Sequence, residues 1–259
     1  MNMSNLKRFG KSRGIVAFAC NTETTDYISI AEKTLKLAEK NLKLPTTLIT
    51  DINTSLQNTR YDIDLGKFVE WKNFSRYAAY KLSPYDETIV IDADYLILDD
   101  SLLQIFYTDW DYILQRNSHA LTIEWPTIMG PNSLPYIWAT VFAFRKTDRA
   151  EQFFNLVARI QENYGYYKLL FNVQERNYRN DYAFAMADII LNGYTVGTNS
   201  IPGSMLAVDQ TIESIVKKDN QLIIRDSNSA FVAPVTNLHV ISKKYLQSED
   251  FSKFINEQT

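Results

Sequence analysis

The sequence predicts an α/β protein with a mainly parallel central sheet, and three features lead to this fold class. A strand–helix–strand pattern opens the chain, and strand-like and helix-like segments then alternate as far as residue 191. The chain shows no internal repeat and no low-complexity stretch. It also has no linker-like boundary, so a single domain over residues 1–259 is the simplest account of its length.

The opening unit is defined by its hydrophobic pattern. Residues 14–20 form a short apolar run that is typical of a buried strand. Between residues 26 and 44, apolar side chains recur in steps of three and four, which predicts a helix that ends before Pro45. Thr46–Thr50 is rich in β-branched residues and predicts the next strand. This βαβ order implies parallel strands joined by a right-handed crossover.

The later elements are predicted from apolar periodicity and from Gly and Pro positions. Helices are predicted at residues 73–82, 101–106, 150–163 and 180–191. Strands are predicted at residues 88–91, 111–115, 137–144, 222–224 and 238–241. Residues 118–136, rich in Pro, Trp, Asn and Gly, predict a long loop over a site. We interpret Asp99 and Asp100 as caps of the helix at 101–106, and not as ligands.

The composition is that of a soluble globular enzyme, with 46% hydrophobic and 22% charged residues. A net charge of −3 gives no overall basic character, which disfavours a general nucleic-acid-binding protein. Cys20 is the only cysteine, which excludes an internal disulfide and a cysteine-based metal site. No apolar stretch approaches a membrane span, and residues 14–20 are too short for a signal peptide. We therefore expect a cytoplasmic protein.

Two carboxylates interrupt the most apolar part of the chain. Asp92 and Asp94 follow the strand at residues 88–91, and residues 95–98 resume the apolar pattern at once. Like charges beside a core are costly unless a cation or hydrogen bonds compensate them. In an extended chain, residues i and i+2 point to the same side, so both acids can face one cation. Their oxygen ligands suit Mg²⁺ or Mn²⁺ holding a phosphorylated substrate; the alternative is a strand that runs into an acidic turn.

The features around these acids follow the order found in a known family. Ser75-Arg76 on a helix and a Tyr85-Asp86 turn precede the strand, and an apolar run and an acidic-capped helix follow the acids. Over residues 75–106 the chain resembles family eight of the GT-A glycosyltransferases, the glycogenin-like and galactosyltransferase family. The resemblance implies a Rossmann-like three-layer α/β/α sandwich. It also implies a divalent-cation-dependent hexosyl- or pentosyltransferase that takes a sugar from a nucleotide diphosphate, with UDP favoured.

The resemblance also implies a division of the domain. The nucleotide-binding part spans about residues 14–106, and the acceptor and sugar part spans residues 107–259. The family's Asn-Ser-Gly segment is replaced by Trp138-Ala139-Thr140, and its C-terminal Lys-Pro-Trp is absent. These departures leave the donor sugar and the stereochemistry open. They fit a small, remote member of the family, encoded by a bacterium or a phage. A phage-encoded protein would act in the host cytoplasm.

By the same resemblance, Asp92 and Asp94 coordinate Mn²⁺ or Mg²⁺, and this cation bridges the diphosphate of the nucleotide sugar. Asp92 is also expected to bind the donor. His239 is the third metal ligand, although a lone histidine in an apolar strand is more often structural. Lys243 or Lys244 contacts the diphosphate. The residue between, Ser242, stands where the family has glycine.

Five further residues are expected around the donor nucleotide. Arg76 occupies the family's position for a basic residue near the phosphates; the alternative is an arginine solvated on a helix face. Cys20, Asn21 and Tyr27 lie where similar proteins hold the base and ribose, at the carboxyl end of the first strand. Asp51, at the end of the second strand, is a further candidate. Turn formation is the alternative for Asn21 and Asp51, and packing on the sheet is the alternative for Tyr27.

Two carboxylates are candidates for catalysis. Asp181 opens a helix in a segment that resembles the family's Asp-Gln pair beside the donor sugar; the alternative is a helix N-cap. Glu124, in the long loop, can serve as the base of an inverting enzyme, as can Asp181. A retaining enzyme would depend instead on the diphosphate and nearby polar groups. The sequence leaves both mechanisms open.

Other classes of protein fit the sequence less well. A sugar-phosphate nucleotidyltransferase needs a Gly-rich loop after the first strand, and residues 20–24 contain no glycine. An oxidoreductase is disfavoured because G-x-G-x-x-G is missing. A non-catalytic protein that kept a sugar-nucleotide fold is the main alternative, although a degenerate site usually loses its charged ligands. The acceptor stays open between a glycan, a protein and a modified DNA base.

Overall fold

The computed structural model of the chain describes residues 11–50, 59–62, 76–121, 128–129, 134–174, 177–209 and 211–259. Two candidate residues, Asp51 and Glu124, lie outside these ranges, so their predicted roles stay predictions. No helix of the described part is long and apolar enough to cross a bilayer.

The described residues form strands and helices that we number in chain order. The strands are β1 (Arg13–Phe18), β2 (Thr46–Thr50), β3 (Thr59–Asp62), β4 (Glu87–Asp92), β5 (Tyr95–Leu96), β6 (Tyr112–Gln115), β7 (Ser118–Ala120), β8 (Ile128–Met129), β9 (Leu134–Pro135), β10 (Trp138–Arg145), β11 (Met205–Val208), β12 (Ile212–Lys218), β13 (Gln221–Asp226), β14 (Ala230–Pro234) and β15 (Leu238–Val240). The helices are α1 (Tyr27–Leu42), α2 (Ala79–Leu82), α3 (Asp148–Glu162), α4 (Tyr164–Leu170), α5 (Asn180–Leu191), α6 (Lys243–Leu246) and α7 (Glu249–Gln258), with 3₁₀ turns at Arg76–Ala78 and Ser101–Tyr107.

A six-stranded sheet forms the centre of the molecule, in the order β3-β2-β1-β4-β10-β6. The first four of these strands run parallel, whereas β10 is antiparallel to both β4 and β6. A second, four-stranded sheet has the order β5-β15-β11-β7, and β12, β13 and β14 form an antiparallel meander. The predicted α/β fold with a mainly parallel central sheet is therefore confirmed.

The core explains why the central strands are apolar on both faces. Alternate residues of β1 and β4 point to opposite sides of the sheet. Ile15 and Ile89 pack against α1, which buries its apolar stripe on one face. Val16 and Val90 belong to the cluster on the other face, where α3 and α5 contribute a group of phenylalanines (Phe153, Phe154 and Phe184). Helices thus cover both faces, as a buried parallel sheet requires.

Several elements differ from the prediction. Residues 118–136, predicted as one loop, contain β7, β8 and β9 in their described parts, and the meander adds β12 and β14. The predicted helix at 101–106 is a 3₁₀ helix, in which the Asp99 side chain accepts from Ser101 N at 2.9 Å while Asp100 makes no capping bond. The helix predicted at 73–82 is described from Arg76 onward and is short. Of these strands, β7 pairs with the distant β11, a contact that periodicity does not reveal, whereas the others pair with neighbours in sequence.

Candidate functional site

The two acids of the D-x-D segment lie at the carboxyl edge of the central sheet. Asp92 is the last residue of β4, and a two-residue turn carries Asp94 to the start of β5. The hydroxyl of Thr34 in α1 donates to Ala93 O at 3.0 Å, and Val240 N donates to Asp94 O at 3.0 Å. These bonds tie the turn to α1 on one side and to β15 on the other.

His239 is brought to the acids by strand pairing. It lies in β15 and pairs with Tyr95 of β5, and Tyr95 directly follows Asp94 in the sequence. Ligand atoms of Asp92, Asp94 and His239 all lie within 4.8 Å of one another, and His239 Nε2 is 3.5 Å from Asp94 Oδ1. Two carboxylates and an imidazole fit Mn²⁺ or Mg²⁺, and three protein ligands leave coordination positions for substrate oxygens. Within the described part of the chain, no group makes a hydrogen bond with the buried His239 Nδ1.

Two cationic side chains now balance the acids. The Arg76 guanidinium contacts Asp92, and the Lys243 ammonium contacts Asp94. Arg76 is buried and lies 5.2 Å from the ring centroid of Phe18. Of the two lysines that the sequence left open, Lys243 faces the site, whereas the neighbouring Lys244 is exposed.

The electrostatics of the cluster reflect crowding of like charges. Burial raises the pKa of Asp92, and the neighbouring Asp94 adds to this, more than Arg76 lowers it. Burial also opposes ionisation of Asp94, but the charges of His239 and Lys243 outweigh it and hold the pKa of Asp94 well below its usual range. Burial lowers the pKa of His239, but the charge of Asp94, its hydrogen bond and the charge of Asp92 together outweigh burial, so the pKa is raised.

A cavity of about 110 Å³ opens beside Asp92 and His239. Its wall is made by the start of β10, the residues before and at the start of α5, and Arg76, and it comprises Arg76, Asp92, Trp138, Ala139, Thr140, Arg179, Asn180, Asp181 and His239. The edge of the Trp138 ring system meets the His239 ring at a centroid distance of 5.6 Å. The segment that departs from the family pattern therefore lines the cavity.

Asp181 faces this cavity with both carboxylate oxygens engaged. Its Oδ1 accepts from Ala139 N at 2.9 Å, and its Oδ2 accepts from Arg179 Nη2 at 3.0 Å. The N-cap of α5 is Arg179, so Asp181 does not cap the helix but ties it to β10. Sequence reasoning did not assign Arg179 to this site; the signal available was an arginine directly before the Asn180-Asp181 helix start.

The residues expected around the base and ribose lie at the start of α1. Cys20 is buried after β1, and the Asn21 side chain accepts from Ile28 N at 3.0 Å, which is a structural role at the helix start. Tyr27 is half-buried, and its ring centroid lies 5.8 Å from Lys243 Nζ. Burial and the nearby Asp94 raise the pKa of Tyr27, with Lys243 acting in the opposite direction. Tyr27 thus borders the acidic cluster.

A second cavity, of about 290 Å³, lies along β6 and the end of α5. The carboxylate of Asp188 is 1% exposed and accepts four hydrogen bonds there, from Tyr112 OH at 3.1 Å, Arg116 Nη2 at 2.8 Å, Asn192 Nδ2 at 3.0 Å and Gly197 N at 3.3 Å. This acid is satisfied by fixed protein groups. The network holds the chain after α5 against the edge of the sheet.

Comparison with known proteins identifies the fold. No protein-family model matches the chain, and no curated protein sequence matches it. An active-site mutant of LgtC is similar over 95% of this chain and 94% of its own, with a TM-score of 0.51 and 14% identity. The galactosyltransferase LgtC in complex with donor and acceptor sugar analogs matches 67% of this chain and 69% of its own, with 18% identity and a TM-score of 0.46.

Apo GlyE, a glycosyltransferase of Streptococcus pneumoniae TIGR4, matches 73% of this chain and 45% of its own, with 17% identity and a TM-score of 0.39. The similarity that spans almost the whole chain is the one that identifies the architecture. The chain has the GT-A fold of LgtC.

Proposed function

We propose that this protein is a divalent-cation-dependent glycosyltransferase that moves a hexosyl or pentosyl group from a UDP-sugar to a hydroxyl acceptor. The observation that carries the proposal is the convergence of Asp92, Asp94 and His239 at the carboxyl edge of a GT-A sheet. That edge is where open α/β sheets bind their ligands. A likeness of fold to LgtC, a galactosyltransferase seen with donor and acceptor sugar analogs, supports a reaction of this class.

The proposed division of labour follows the charges. Asp92, Asp94 and His239 would hold Mn²⁺ or Mg²⁺, which when bound offsets the charge that develops on the leaving diphosphate. Arg76 and Lys243 keep further positive charge at the same edge. Leaving-group stabilisation, and not proton transfer, is then the main contribution of this cluster.

The cavity beside the cluster is the proposed place of the donor sugar. Asp181 keeps a fixed orientation there because Ala139 N and Arg179 both donate to it. A carboxylate fixed in this way suits acceptance of a hydrogen bond from a sugar hydroxyl. We propose Tyr27, with Cys20 and Asn21, at the nucleoside end. Glu124 and Asp51 keep their proposed roles as acceptor base and nucleoside contact. The acceptor is a glycan, a protein or a modified DNA base.

The proposal is tested by thermal unfolding with UDP, GDP and ADP, each with and without Mn²⁺. At a ligand concentration of about 100 times Kd, UDP with Mn²⁺ should raise Tm by about 5–10 °C. UDP alone should have a smaller effect. Asp92→Asn should abolish the response, whereas Asp100→Asn, at an exposed acid without a capping bond, should keep it.

Turnover is measured as UDP release from UDP-glucose, UDP-galactose and UDP-xylose with Mn²⁺. Release that requires Asp92 supports a transferase. A wild-type protein that responds to no nucleotide, and that behaves like Asp92→Asn, would instead identify a non-catalytic protein with a GT-A fold.

A further inference from the structure

We infer that Lys243 is an internal substitute for the divalent cation, which it competes with for Asp94, and that this exchange makes cation and nucleotide diphosphate bind cooperatively. The inference rests on the proposed function, since it concerns the same site. It adds a role for one residue that the likeness to LgtC does not assign.

The geometry places the ammonium in direct competition with a metal ion. Lys243 Nζ contacts Asp94 Oδ2, while the other oxygen, Oδ1, faces His239 Nε2 at 3.5 Å. A cation held by Asp92, Asp94 and His239 would be next to this ammonium. Like charges this close repel each other strongly at the effective dielectric of a protein surface. The lysine and the metal therefore cannot both remain against Asp94.

The two cations at the site differ in their freedom to move. Arg76 is 7% exposed at its side chain and lies over the Phe18 ring, so its position beside Asp92 is fixed by packing. Lys243 is 28% exposed and is the first residue of α6, on a flexible four-carbon stem. It can leave Asp94 without a change in the backbone.

The displaced ammonium needs a new partner. The Tyr27 ring, 5.8 Å away, offers a weak one through a cation–π contact. An incoming diphosphate offers a strong one, because it brings negative charge to the edge where the cation binds. Metal binding frees Lys243, and the diphosphate then uses it, so each ligand should increase the affinity for the other.

Calorimetric titration tests the exchange. Mn²⁺ is titrated into wild type, Lys243→Gln and Lys244→Gln, each with and without saturating UDP. Without UDP, Lys243→Gln should bind Mn²⁺ about tenfold more tightly than wild type, within the usual range of site-to-site coupling. UDP should tighten Mn²⁺ binding strongly in wild type and by about tenfold less in Lys243→Gln. Lys244→Gln, at the exposed neighbour, should match wild type in both titrations.

A second variant controls for folding. Lys243→Arg keeps the positive charge, so its affinity for Mn²⁺ alone should not exceed that of wild type. Unfolding of the metal-free proteins provides a readout independent of binding: Lys243→Gln should have a lower Tm than Lys244→Gln, and Mn²⁺ should reverse the difference.

The outcomes separate this inference from the proposed function. Suppose that wild type binds Mn²⁺ and Asp94→Asn does not, but that Lys243→Gln binds Mn²⁺ no more tightly than wild type. The proposed exchange is then wrong, whereas the proposed metal site is supported. If wild type binds no Mn²⁺ with or without UDP, the proposed metal site is wrong. The proposed exchange between Lys243 and the metal is then wrong as well.

Discussion

Two regions of this molecule bury carboxylates, and they solve the electrostatic problem in opposite ways. Asp188, at the end of α5, is alone among fixed donors: a phenol, an amide, a backbone N–H and one guanidinium. At the carboxyl edge of β4, Asp92 and Asp94 lie side by side, with Asp181 close enough to act on the pKa of Asp92. The first acid is satisfied by the fold. The second group of acids is balanced by cationic side chains, one of which, Lys243, is partly exposed on a flexible stem.

The difference shows which buried acid is available for a ligand. Asp188 already accepts hydrogen bonds from four protein groups, so a ligand could bind its carboxylate only by displacing one of them. Asp94 contacts the partly exposed Lys243 and His239. A metal ion could therefore replace Lys243 at Asp94 and be coordinated by His239. In the larger cavity the acid is thus already satisfied by the protein, and the smaller cavity, beside Asp92, is the candidate site.

The largest expected effect comes from breaking the structural network. Asp188→Ala leaves Arg116, 13% exposed at its side chain, without its buried partner. Removal of one member of a buried pair typically lowers the free energy of unfolding by about 3–5 kcal/mol. Urea denaturation should show this loss, while the Mn²⁺ affinity of the folded variant stays within about twofold of wild type. Asp109→Ala, at an acid that is 88% exposed beside the same cavity, should cost no more than about 1 kcal/mol.

The second prediction concerns a substitution that disrupts the candidate site and leaves the hydrogen-bond network around Asp188 intact. Asp94→Asn should lower Mn²⁺ affinity by about 100-fold or more, because even the outer partners of metal ligands are worth about 10–100-fold. Stability without metal should fall by less than in Asp188→Ala, because relief of the repulsion with Asp92 partly offsets the lost contacts of Asp94 with Lys243 and His239. Calorimetry and urea denaturation of the same sample measure the two effects. A fall in stability as large as that of Asp188→Ala would show that the two acids do not differ in the way proposed.

A third prediction concerns the chain that closes over Asp188. A Cβ atom on Gly197 would lie 2.8 Å from Arg116 Nη2 and from both Asp188 carboxylate oxygens. Gly197→Ala should therefore lower the free energy of unfolding by about 1–3 kcal/mol through overpacking. Gly165→Ala is the matched control, since a Cβ there meets no atom within 4 Å and a helical alanine is favoured. Equal stability of the two variants would contradict a tight network around Asp188.

The smallest effect is a pH dependence confined to the candidate site. The pKa of His239 is raised by Asp94, so its protonated form adds stability that is present below the ordinary histidine pKa and is lost as pH rises through the raised value. Metal binding needs the neutral ring, so Mn²⁺ affinity should rise by at most about tenfold per pH unit over the same range. Titrations between about pH 6 and 8 test this. His119→Gln, at a histidine that contacts Ser204, should keep the dependence, and His239→Gln should lose it.

Local pattern alone determined much of this protein. The βαβ opening, the apolar strand that delivers Asp92 and Asp94 to a sheet edge, and the helix Asn180–Leu191 follow from periodicity, breakers and strand geometry, because these signals act between residues close in sequence. The resemblance around residues 75–106 predicted the GT-A fold on the same local grounds. The short strand β7 was not predicted, since it pairs with the distant β11, and the strands β8, β9, β12 and β14 were missed although their partners are close in sequence.

Only the tertiary structure decided which charges meet. The choice of Lys243 over Lys244 depends on a contact with Asp94 across 149 positions of sequence, and the pairing of His239 with the turn depends on how β15 docks on β5. Local pattern treats Asp188 and Asp181 alike, since both are acids on one helix, two turns apart, and only the family resemblance pointed to Asp181. Packing separates them, because the start of α5 lies at the open edge of the sheet beside Asp92, whereas Asp188 near its end is enclosed by four hydrogen-bond donors.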